Sequence, residues 1–159
     1  MPRIEYTVES DVPAERVWAA ITDFSERRPD WWPNLSPKFY VLHELGDNWA
    51  DCTEGTTGPG GGVWARERYD WSGNRISAMP LSSNIFRPGE GIWEMTVDAL
   101  PNGGSRVRVL NHRRPKGIGY VAFAFMALFG KRMLTKQMHQ ALDILRKQAP
   151  PATGTGTAH

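Results

Sequence analysis

The stretch GIGYVAFAFMALFGKRMLTKQMHQALDILRKQ, residues 117–148, decides how this chain is read. As one continuous helix it would reach roughly 45 Å at 1.5 Å per residue. A few strands cannot bury a helix that long unless their sheet wraps around it. Such a grip leaves a cavity between sheet and helix. Val121, Phe125, Leu128, Leu134, Met138, Leu142 and Leu145 are expected near one apolar stripe. Gly130 interrupts the run at a cost of about 1 kcal/mol against alanine, so a bend or joint is expected there.

Upstream, the signals are those of strands. The first segment alternates apolar Ile4, Tyr6 and Val8 with polar Glu5, Thr7 and Glu9. A short amphipathic helix is expected from Pro13 to about Phe24, with Val17, Ile21 and Phe24 on one face. Residues 25–33 form a second helical turn that Pro33 ends. Strands are then predicted over 38–45, 49–54, 63–71, 75–79, 90–100 and 105–113, separated by turn signals such as Gly46-Asp47-Asn48 and Pro101-Asn102-Gly103-Gly104. Strands in series with short turns argue an antiparallel meander within an α+β fold. Residues 1–148 make one domain, and 149–159, without a residue able to build a core, read as a disordered tail.

Composition narrows the functional classes. Nineteen basic and seventeen acidic residues leave a net charge of +2, too little to suggest nucleic acid as a partner. The single Cys52 excludes an internal disulfide framework and a multi-cysteine zinc site. His43, His112, His139 and His159 do not fall at metal-ligand spacing, and no cofactor motif is present. Gly58-Pro59-Gly60-Gly61-Gly62 lacks the Lys-Ser/Thr of a phosphate loop and precedes a strand, so it suits a flap at the cavity mouth. No secretory leader is visible, and a cytosolic compartment is expected. The apolar run 118–129 is short of the roughly 20 residues that span a bilayer. Followed by Lys131, Arg132 and Lys136, it reads either as a core helix with its cations in water or as an apolar segment with a basic shoulder for transient membrane contact.

Strand 1, Val12-Pro13-Ala14-Glu15-Arg16-Val17-Trp18, Ile21-Thr22-Asp23-Phe24, Trp31-Trp32-Pro33 and the long last helix together resemble the START-like, helix-grip (SRPBCC) superfamily, in its polyketide cyclase/dehydrase-like branch. The likeness covers residues 3–148. It implies a curved seven-stranded antiparallel sheet around the terminal helix, two short helices after strand 1, and an apolar pocket. It also implies a place for Trp32 after the second short helix. Members of that superfamily bind lipids, steroids or polyketides, or act as cyclases, and no catalytic motif common to all can be carried over.

Strand alternation supplies a map of the expected cavity. Arg66 and Arg68 mark one face of 63–71 as solvated, which turns Glu67, Tyr69 and Trp71 inward. Trp93, Met95 and Val97 face in on the next-to-last strand, and Val107, Val109, Asn111 and Arg113 share a face on the last. Trp71, Trp93, Met95, Phe125 and Phe129 are the expected apolar contacts to a ligand, and Glu67, Tyr69, Asn111 and Arg113 the expected polar ones. Glu67 and Arg113 either pair with each other near a wet rim or orient a polar group on the guest. The leading function is a carrier or sensor of a hydrophobic small molecule. The alternative is a cyclase or dehydratase working in the same cavity, with its catalytic residues left open and its oligomeric state unread.

Overall fold

The computed structural model describes residues 3–148. The expected tail, 149–159, lies outside the described residues. Seven strands form one antiparallel sheet: β1 Ile4–Ser10, β2 Val41–Leu45, β3 Trp49–Thr56, β4 Val63–Ser72, β5 Arg75–Ser83, β6 Trp93–Ala99 and β7 Ser105–Asn111. Their spatial order is β1-β7-β6-β5-β4-β3-β2, so the meander from β2 to β7 closes onto β1. Helices α1 Ala14–Ile21 and α2 Arg28–Trp31 lie along the chain between β1 and β2. This is the helix-grip arrangement.

One edge of the prediction fails at a proline. A strand ending at Met79 follows from Pro80, which has no N–H to give a ladder. The structure carries β5 on to Ser83 through a bulge opposite Arg66 and Glu67, where Leu81 is skipped in the pairing. The burial pattern records the slip: Ile76, Ala78 and Pro80 point in, and the next inward residue is Ser83. A bulge bends its strand and deepens its twist. Here it curls the sheet beside Glu67, where the cavity's polar wall is built.

The last helix is also more structured than its sequence suggests. It runs as α3 Gly119–Phe125, a π-helical turn Met126–Gly130, and α4 Lys131–Lys147, 29 residues in all. Gly130 keeps ordinary helical dihedrals (φ −70°, ψ −35°), so the expected bend is replaced by the π turn. Its reason is space: a Cβ there would lie 2.9 Å from Cβ of Met126.

The inward stripe is Phe123, Gly130, Met138, Ala141, Leu142 and Leu145, with Met126 and Leu134 packed against the core. Val121, Phe125 and Leu128, placed on that stripe by the sequence, are instead exposed. Between 118 and 129 the helix is apolar on every side, so hydrophobicity does not mark which face turns inward.

The helix is anchored at its far end. Arg16 of α1 donates to the carbonyls of Leu145 and Gln148, the latter at 2.6 Å, supplying donors that the last turn of a helix lacks. Arg146 reaches Asp11 at 2.7 Å.

Candidate functional site: a cavity with one polar seam

Between the concave face of the sheet and the helix lies a cavity of about 510 Å³. The helix contributes Met126, Met133, Leu134, Gln137 and Met138, a wall rich in flexible thioethers that can adapt to a guest's shape. The sheet contributes Tyr6, Ala65, Trp93, Met95 and Val109, and Trp32 closes one side. The indole Nε1 of Trp32 is buried without a hydrogen-bond partner among the described residues.

Polar groups on this wall form one connected chain. Arg28 is ion-paired with Glu54, and Arg113 with Glu67. Between the two carboxylates stands the Tyr69 hydroxyl, 2.8 Å from Oε2 of Glu54 and 3.2 Å from Oε2 of Glu67. Arg113 Nε extends the chain by donating to Asn111 Oδ1 at 3.2 Å. All six residues line the cavity. Two guanidiniums balance two carboxylates, which is the condition for keeping so many charges out of water.

The hydroxyl has one proton and two acceptors. The shorter distance assigns that proton to Glu54, which leaves Oε2 of Glu67 with accepting capacity.

The scaffold explains each position. Alternation along β4 turns Ala65, Glu67 and Tyr69 to the buried side, and alternation along β3 sends Ala50, Cys52 and Glu54 the same way. Arg28 sits at the start of α2 and folds back over the rings of Phe24 (4.0 Å) and Tyr69 (5.3 Å). It also donates to the carbonyls of Ile21 and Asp23 at 3.0 and 3.2 Å. Arg113 lies over Phe86 at 4.3 Å.

Of the ten residues expected at the site, Trp32, Glu67, Tyr69, Trp93, Met95, Asn111 and Arg113 line the cavity, and Glu67 pairs with Arg113. Three lie elsewhere. Trp71 is on the inward face of β4 but stacks on Phe24 at 5.5 Å, one layer behind the wall. Phe125 and Phe129 point away from the sheet, on the outer side of the helix. Arg28, Glu54 and Tyr6 were not singled out in the sequence. Glu54 was within reach, since the alternation of 49–54 places it with buried Cys52; Arg28, in a four-residue helix, carries no periodicity to read.

Burial pushes the Tyr6 phenol up from 10.0 to about 12. Tyr69 is raised well above its ordinary value, first by burial and then by the negative charges of Glu54 and Glu67 beside it. Burial also raises Tyr40, whose hydroxyl donates to the Phe24 carbonyl at 2.7 Å. A phenol whose folded pKa exceeds its unfolded one contributes stability that is complete below pH 10 and lost as pH rises through the folded value. Stability should therefore fall steeply from pH 10 to about 12. In a spectrophotometric titration, phenolate absorbance from Tyr6 and Tyr69 should emerge together with the loss of far-ultraviolet circular dichroism. Phenolates formed by those two at pH 10 in folded protein would contradict this, with Y6F and Y69F assigning the signal.

Residues 1–150 match the family model described as polyketide cyclase/dehydrase and lipid transport. The chain belongs to that family. Among curated proteins no sequence matches it. Solved structures similar in fold include the Zhui aromatase/cyclase from Streptomyces sp. R1128, at 16% identity and TM-score 0.73, with 96% of this chain and 98% of that one covered. Another is TTHA0849 from Thermus thermophilus, at 12% identity and TM-score 0.72, covering 91% of this chain and 97% of that one. Human STARD10 aligns at 16% identity and TM-score 0.66, over 88% of this chain and 62% of its own. The description of that family covers both polyketide cyclase/dehydrase and lipid-transport members.

Proposed function

We propose that this chain binds one largely apolar small molecule, of lipid, sterol or polyketide-like character, in the cavity between sheet and helix, and acts as its carrier or sensor. The observation that carries this reading is an apolar hollow crossed by a single polar seam. Its volume of about 510 Å³ lies in the range of small-molecule sites. Kept dry and empty, a void of that size would cost roughly 12 kcal/mol at about 24 cal/mol per Å³, comparable to the whole stability of a domain. In solution it therefore holds water or a guest, and an apolar guest gains by displacing poorly held water.

Polarity sets the guest's orientation. Oε2 of Glu67 can accept from a hydroxyl or enol on the guest, and the apolar walls take its hydrocarbon part. A molecule with an oxygenated end and a hydrocarbon body fits both demands.

The cyclase or dehydratase reading has one feature in its favour, the Tyr69 hydroxyl held between two carboxylates on the cavity wall. Against it, each carboxylate is committed to a guanidinium, an ion pair that fixes it in place and occupies one of its oxygens. That balance favours holding over turnover.

Native mass spectrometry of protein purified without denaturant from its own host tests the reading. The expected result is a single bound mass, released unchanged after incubation. Bare protein that also gains no adduct with palmitate, cholesterol or an anthraquinone would contradict it, and a released mass that changes with time would favour the enzyme.

A further inference from the structure

The outer face of the terminal helix is the least expected surface of this molecule. Ile118, Val121, Phe125, Leu128 and Phe129 follow one another at three-, four- and one-residue steps and are 56–78% exposed. The Phe125 and Phe129 rings pack against each other at 5.2 Å and are exposed among the described residues. Soluble surfaces rarely carry a contiguous run of large apolar side chains without using it. The next turns continue the face with exposed Lys131, Arg132 and Lys136. None of these three forms an ion pair among the described residues. The sequence keeps acid away from this region: no Asp or Glu occurs between Asp98 and Asp143.

We propose that this face docks the protein onto an anionic lipid bilayer, with the side chains of 118–129 entering the headgroup boundary and Lys131, Arg132 and Lys136 meeting lipid phosphates. An apolar stripe running into unpaired cations is the pattern of a helix lying in a membrane interface. The charges argue against a second copy as the occupant. In a two-fold dimer each copy presents this same surface, which has no acid between Asp98 and Asp143 to pair with the three cations, whereas lipid phosphates supply one.

The geometry also links docking to the cavity. Met133, 39% exposed, and Val63, 36% exposed, both line the cavity and mark its opening, and Met133 is adjacent to Arg132 on the helix. A docked helix therefore holds the opening near the lipid. The docking surface itself does not depend on the nature of the guest.

Sedimentation of the full chain with vesicles tests this, using phosphatidylcholine alone and phosphatidylcholine mixed with phosphatidylglycerol. Binding is expected only to the anionic vesicles and should weaken with added salt. Each cation near such a surface changes affinity by roughly fivefold, so K131Q/R132Q should weaken binding about 25-fold. L128E/F129E should abolish it, and because both side chains are exposed its circular dichroism should match the parent. Three results would overturn the proposal. These are no sedimentation with anionic vesicles, sedimentation of both variants equal to that of the parent, or a dimer by light scattering that L128E/F129E dissociates.

Discussion

Replacing Arg28 with methionine should lower the unfolding free energy by about 3–5 kcal/mol, the range for a buried ion pair that loses one partner. The side chain is 4% exposed, and its partner Glu54 is 19% exposed. Methionine fills similar space but leaves the Glu54 carboxylate without a countercharge. It also removes the donor serving the Ile21 and Asp23 carbonyls, which close α1 and begin the turn toward α2.

Burial is the largest single influence on Arg28 and works against its charge, but the Glu54 charge and hydrogen bond, together with Tyr69 and Cys52, outweigh it, and the net shift is upward. The guanidinium thus stays charged wherever the fold is stable. Lysine at this position should recover part of the loss, since it restores charge without the planar fork that reaches three acceptors. The double variant R28M/E54L should be far less damaged than R28M alone. Urea unfolding of the set checks this, and an R28M midpoint within error of the parent would contradict the account.

The second large effect concerns volume. Ala65 lies on β4, faces the helix and lines the cavity. Tryptophan there should extend into free space and not into packed neighbours. Most small-to-large substitutions in a core cost about 1–3 kcal/mol through strain. A65W should instead leave thermal stability unchanged or raise it, because it gains contacts in a void. Its affinity for a guest should fall at least 100-fold. A substitution that stabilises while it blocks binding separates a hollow interior from a packed one, since in a packed interior it would destabilise.

Much of this architecture was legible because sheets reveal themselves by period. The two arginines of β4 turned Glu67 and Tyr69 inward, and the same rule placed Met95, Val109 and Asn111. Alternation defines a face but not a depth, which is why Trp71 counted as cavity wall when Phe24 covers it. The helix was harder. Its amphipathic pattern is clear from Leu134 to Leu145, where polar residues mark the outer side. It vanishes where nearly every residue is apolar, and the π turn shifts the phase between the two halves. Phe125 and Phe129 were misplaced for that reason. Arg28 was invisible for another: its partner lies 26 positions along the chain, across an intervening 3-10 turn and strand.

The measurement that bears most directly on the hollow interior is a titration with 1-anilinonaphthalene-8-sulfonate, followed through quenching of tryptophan emission, run in parallel on the parent and A65W. Trp32 and Trp93 border the cavity, so one equivalent of dye should saturate the quenching in the parent, be displaced by palmitate, and leave A65W unaffected at the same concentrations. A curve that never saturates, or is identical for both proteins, would mean that the dye meets only the surface and that sheet and helix enclose no usable space.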